Sequence, residues 1–207
     1  MEQSVSIAFQ IIVLMFSVVI HEVAHGVVAE ELGDDTARRA GRITLNPLKH
    51  IDPFGSVILP LLLSLVPGGV VFGWAKPVPF NPFKTKNPKS SSALIALAGP
   101  ASNLVLALVF AVAIRVILGF GIFYLFPVLI FLKFIVVINI VLAIFNLIPL
   151  SPLDGSKILF FFLPPRAAKL GFVLERYGYI ILLAFIFFGI NLLYPAIEWV
   201  YRVMVGG

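Results

Sequence analysis

The chain has 207 residues, of which 60% are hydrophobic and 12% charged, and its mean hydropathy of +1.08 lies above the range of water-soluble domains. Its formal charge of +5 sits in loops between apolar runs, which is the pattern of membrane topology and not of nucleic-acid binding. With no cysteine, thiol catalysis, disulfides, iron–sulfur clusters and cysteine zinc sites are excluded, so any metal must be held by His, Asp or Glu.

Five apolar stretches, about 5–29, 54–72, 91–119, 122–150 and 177–201, predict an all-α polytopic membrane protein, with residues 1–207 forming a single membrane-embedded domain. The first opens on Glu2 without Lys or Arg and has no small-residue cleavage site, so it reads as mature structure and not as a signal peptide. Glu30, Glu31, Asp34 and Asp35 follow it and predict a solvated interface. The second stretch, "FGSVILPLLLSLVPGGVVFGW", is broken by Pro60, Pro67, Gly68 and Gly69. The expectation is therefore about four transmembrane helices plus a re-entrant or fifth apolar segment. Short membrane-associated β-strands are predicted at "RITL" and "AKPVPF". "LGFGIF" predicts the turn between the third and fourth stretches, and Trp74, Trp199 and Tyr201 mark interfaces. Arg115 and Lys133 lie within apolar stretches without a chemical assignment.

Charge orients this arrangement. If 54–72 does not cross, Arg38, Arg39, Arg42, Lys49, Lys76, Lys84, Lys86 and Lys89 share one side with Lys157, Arg166, Lys169 and Arg176. The positive-inside rule makes that side cytoplasmic and puts the N-terminus outside, in a multi-pass protein of the cell membrane.

The first apolar stretch carries "HEVAH". His21 and His25, four apart, project from one helix face a turn apart, and Glu22 lies about 100° round the axis. This is HExxH, in which two imidazoles hold Zn²⁺ and the glutamate accepts a proton from water. Hydrolytic zinc needs three protein ligands and an open position. His50 is one candidate for the third, but "NPLKHIDP" has strong turn signals, where a surface or capping role is commoner. Asp154 is the better one: in "FNLIPLSPLDGSKIL", Pro149 and Pro152 break the helix and Gly155 loosens the chain, which aims a carboxylate back into the bundle.

Taken together, "HEVAH", "GRITLNPLKHIDPFG", "GWAKPVPFNP", "AGPASN" and "NLIPLSPLDG" resemble the site-2 protease family of intramembrane zinc metalloproteases, from about residue 15 to 160. The resemblance implies that His21, His25 and Asp154 bind one zinc ion per chain and that Glu22 is the general base. It also implies polar roles near the substrate, or in holding the break before the aspartate, for Asn103 and Asn146. Ser156 stands where many relatives have a second glycine, and little consequence is expected. Neither a PDZ-like insertion nor a CBS-like region is evident.

The function expected is hydrolysis of peptide bonds in transmembrane or membrane-proximal segments near the cytoplasmic face. The partners are the lipid bilayer and a membrane protein substrate whose helix can unwind. The rival reading is a proton or ion transporter built on the same buried His, Glu and Asp. Paired internal repeats would favour it, and none is evident.

Overall fold

A computed structural model describes residues 2–58 and 75–206. Its helices are α1 (Glu2–Glu31), α2 (Thr36–Arg39), α3 (Pro88–Gly119), α4 (Phe126–Asn146), α5 (Asp154–Phe162), α6 (Ala168–Ala184) and α7 (Tyr194–Val205). A π turn at Phe185–Gly189 and a 3₁₀ turn at Ile190–Leu193 join α6 to α7. Among the described residues, four segments are long and apolar enough to cross a membrane: Ala8–Glu31, Pro88–Gly119, Phe126–Asn146 and Gly171–Val205. They correspond to the four stretches expected to cross. Most of the doubtful stretch at 54–72, and Trp74 with it, lies outside the described residues.

Helix α3 is the hub. It packs against α1, α4, α5 and α7, and its 32 residues make it about 48 Å long, more than the hydrocarbon core requires. Ala107 and Ala111 keep its face small where Val136 and Ile140 of α4 and Val205 of α7 close on it, and these residues with Ile114, Ile117 and Leu129 form a buried apolar cluster. Small residues at such a contact let helix backbones approach closely, which is how spans associate where lipid gives no hydrophobic drive. At the other end of the bundle the loops are built from a repeated device. Asn46 and Asn81 each precede a proline and accept the backbone N–H two residues on, from Leu48 and Phe83 at 3.1 Å, starting the 3₁₀ turns Pro47–Lys49 and Pro82–Lys84.

Two expectations need correction. No strand forms among the described residues: both "RITL" and "AKPVPF" are irregular. In the second, Pro77 and Pro79 have no N–H, while the Lys76 N–H goes to the His50 carbonyl at 2.8 Å and the Val78 N–H to a side chain of α1, so no ladder donor remains between them. Asp34 is not part of a solvated interface; it is fully buried. Its carboxylate accepts from Thr36 N at 3.0 Å, from the Thr36 hydroxyl and from the backbone N–H of Asn81. It thereby ties the end of α1 to the chain that leads into α3.

Glycine makes two close approaches that position the loops. At Gly26 a Cβ would meet Val78, Ala37 and Ile43 at 3.1–3.3 Å, so the bare backbone there forms the notch into which Val78 docks. At Gly178 a Cβ would run into the backbone of Ser151, so α6 lies directly against the loop between α4 and α5.

Candidate metal centre

Helical spacing puts His21 and His25 of α1 side by side, their rings 4.7 Å apart and both largely buried. Asp154 reaches them from the first turn of α5, after the chain breaks at Asn146. The break depends on Gly155, for a reason of space: a Cβ there would collide with the carbonyl oxygens of Leu147 and Ile148. Ser156 folds its hydroxyl onto the Leu153 carbonyl at 2.7 Å and so fits the same tight turn.

The three groups converge. Asp154 Oδ2 lies 3.1 Å from His21 Nε2 and 3.1 Å from His25 Nε2. For a tetrahedral ion with bonds of 2.0–2.1 Å, ligand atoms stand about 3.3 Å apart, close to these separations. The outer nitrogens decide what the inner ones offer. His25 Nδ1 lies 2.6 Å from the carbonyl of Ile95, which can only accept, so Nδ1 carries the proton and Nε2 is left with its lone pair. His21 Nδ1 lies 2.7 Å from Asn103 Oδ1, with the same result. Two imidazole lone pairs and a carboxylate oxygen therefore face one point, an arrangement that a cation resolves, and fixing the far nitrogen is how proteins orient imidazole ligands. Gly99 of α3 completes the cradle: a Cβ there would stand 2.5 Å from both Nε2 atoms. The residues present fit a zinc ion.

Glu22 lines the same cavity of about 160 Å³, room for several waters, with Pro77, Val78, Phe80, Asn146, Pro152, Leu153 and Lys157. One of its oxygens accepts the Val78 N–H at 2.7 Å. Lys157, one helical turn after Asp154, sets its ammonium 3.5 Å from Asp154 Oδ1 and 5.3 Å from the centre of the Phe80 ring.

Of the other residues singled out from sequence, Asn103 is buried against His21, and Asn146 binds the Leu142 carbonyl at 2.9 Å while lining the cavity. His50 stands apart from the cluster. It is buried, not a surface residue, and donates from Nε2 to the Thr44 carbonyl at 2.9 Å, bracing the loop after α2. Arg115 reaches the Val203 carbonyl at 2.5 Å, near the end of α7. Gly99, Val78, Lys157, Ser17 and Asn139 were not evident beforehand as part of this neighbourhood. Lys157 sits beside a recognisable motif, Gly99 and Val78 lie within the quoted "AGPASN" and "GWAKPVPFNP", and Asn139 is a polar residue in an apolar run, whereas nothing in the sequence marks Ser17.

The family model described as peptidase family M50 matches residues 9–130 and 124–189. YwhC of Bacillus subtilis (strain 168), which bears the name of a zinc metalloprotease, is 40% identical over 179 residues, 84% of this chain and 78% of its own length. Rip2 of Mycolicibacterium smegmatis, named likewise, is 32% identical over 167 residues, 81% of this chain and 62% of that protein. Rip2 of Mycobacterium tuberculosis (strain H37Rv) is 31% identical over 141 residues, 68% of this chain and 52% of its own. The chain thus spans less than two thirds of the mycobacterial relatives it matches. No solved structure matches it. With the family's pattern running through α1, α3, α4 and α5, the chain belongs to peptidase family M50, the site-2 protease family of zinc metalloproteases.

Proposed function

We propose that this chain is an intramembrane zinc endopeptidase, one membrane-embedded unit with one ion per chain, cleaving transmembrane or membrane-proximal segments near the cytoplasmic face. His21, His25 and Asp154 hold the ion, and Glu22 is the general base. The observation that carries this reading is the convergence of two imidazole lone pairs and a carboxylate oxygen beside a cavity that contains a second carboxylate.

When bound, zinc supplies a Lewis acid that polarises the scissile carbonyl and acidifies water. Glu22 takes the proton from the attacking water and delivers it to the leaving amine. The Val78 N–H keeps its carboxylate facing the cavity. Pro77, Phe80 and Pro152 form the wall against which an unwound segment lies. A substrate helix hides its carbonyls in its own hydrogen bonds, so helix-breaking residues near the cut favour cleavage. The basic residues gathered at the ends of α1 and α4 and the start of α3 support a cytoplasmic site and an external N-terminus.

The test is metal content and cleavage in vesicles, using a model transmembrane segment with a helix-breaking sequence and mass spectrometry of the fragments. Glu22→Gln is expected to keep zinc and lose at least about 10²-fold in rate, while Asp154→Ala and His25→Ala lose zinc and activity together. Cleavage unchanged in Glu22→Gln refutes the mechanism. Proton flux without cleavage in the wild type supports the transporter instead.

A further inference from the structure

We infer that Asn139 of α4, together with Ser17 of α1, is a positioning residue for His21, and that it acts through Asn103 by fixing which His21 nitrogen carries the proton. The inference rests on the proposed metal role of His21.

Asn139 and Asn103 are fully buried and Ser17 nearly so, all within helices expected to cross the membrane. Polar side chains at such depth are costly unless engaged, and here every contact has a direction. Asn139 Nδ2 lies 2.9 Å from the Ile135 carbonyl, which can only accept. That sets the amide with its nitrogen toward Ile135 and the Ser17 hydroxyl, at 3.0 Å, and its oxygen toward Asn103. Asn103 Nδ2 then donates to Asn139 Oδ1 at 2.8 Å and to the Ser17 carbonyl, again acceptor-only, at 3.2 Å. Its oxygen is left facing His21 Nδ1. An amide oxygen cannot donate, so His21 bonds to it only as the Nδ1–H tautomer, with Nε2 bare toward His25 and Asp154. The order of donors and acceptors is thus imposed from the Ile135 and Ser17 carbonyls inward. Asn139 supplies the acceptor that keeps the Asn103 amide from turning over. Sequence gives no hint of this role, because Asn139 lies in "VVINIVLA" outside every motif.

Mere interhelical adhesion would change stability alone. The test is therefore made on the full chain in detergent, by zinc affinity against a competing chelator and by nitrogen-15 spectra of the histidine rings in metal-free protein at alkaline pH. Three histidines make assignment direct, and His25 and His50 serve as internal references. Asn139→Leu is expected to weaken zinc binding roughly 10-fold, the low end for residues that orient a ligand. In the same variant His21 shifts from the Nδ1–H form to a mixture of tautomers, with the other two rings unchanged. Asn139→Asp keeps an acceptor for Asn103 and restores most of the affinity. Wild-type zinc affinity together with an unaltered His21 spectrum in Asn139→Leu overturns the inference. If that variant does not fold, Ser17→Ala, which removes one partner of the Asn139 amide, is expected to show a smaller shift in the same direction, and no shift overturns the inference. His25→Ala separates the two claims: zinc binding that survives it refutes the metal reading, while the His21 tautomer still tests the network.

Discussion

Glu22 depends on a group that no side chain supplies. Its carboxylate takes the backbone N–H of Val78, 56 positions away in sequence, and Gly26 makes the room for that approach. Val78→Pro removes this one donor in a segment whose neighbours at 77 and 79 are already proline. It is expected to cut turnover about 10-fold or more, the loss of a charge-assisted hydrogen bond of ~1.5–3 kcal/mol, while zinc content stays at the wild-type level. Val78→Ile, which keeps the N–H, is the control, and equal turnover in the two variants would show that Glu22 needs no such anchor. At this scale the sequence is legible where chemistry follows local spacing. His21, Glu22 and His25 are readable because a helix repeats every 3.6 residues. A backbone donor arriving from a distant loop leaves no such trace.

The elements divide in the same way. The spanning helices are legible from uninterrupted hydrophobicity, and the break before Asp154 from Pro149 and Pro152. The segment 75–80 is not, because its β-branched and proline residues suit an extended chain whether or not it pairs, and the partners of Lys76 and Val78 settle the outcome. Just beyond that segment, Asp34 accepts the backbone N–H of Asn81. Burial opposes its ionisation, but the Thr36 hydroxyl, the N–H groups of Asn81 and Thr36 and the Lys84 charge outweigh this and hold its carboxyl below the ordinary value of 3.8. A carboxyl lowered on folding stabilises the fold above its ordinary value, and that contribution is lost as pH falls through the folded value. Asp34→Ala leaves two backbone donors without their acceptor. It is expected to cost ~1–3 kcal/mol at neutral pH, read as a lower unfolding midpoint in detergent. The gap from wild type should close in acid, and a gap independent of pH would mean that the charge of Asp34 is not what matters.

For the whole molecule, four segments among the described residues are long and apolar enough to cross a membrane, and the ends of α1 and α4 and the start of α3 gather at the end of the bundle that holds the candidate metal centre. The four apolar segments were legible from hydropathy; the central position of α3 was not, since its contacts depend on which alanines face inward. The chain has no native cysteine, so single cysteines are labelled without background. Cysteine placed at Lys86 is expected to react with an impermeant maleimide only after the membrane is opened, in intact cells, and one at Tyr124, in the turn between α3 and α4, without opening it. The reverse pattern would turn the protein over in the bilayer.

Gly99 brings the backbone of α3 against the imidazole pair on one flank, whereas the cavity opens on the other, between the 77–80 segment and residues 146–157, and takes no lining residue from α3. Among the described residues the imidazole pair is thus backed by main chain on one flank and faces open volume on the other, so a ligand meets the candidate ligand atoms from the side of the 77–80 segment, where Glu22 also stands.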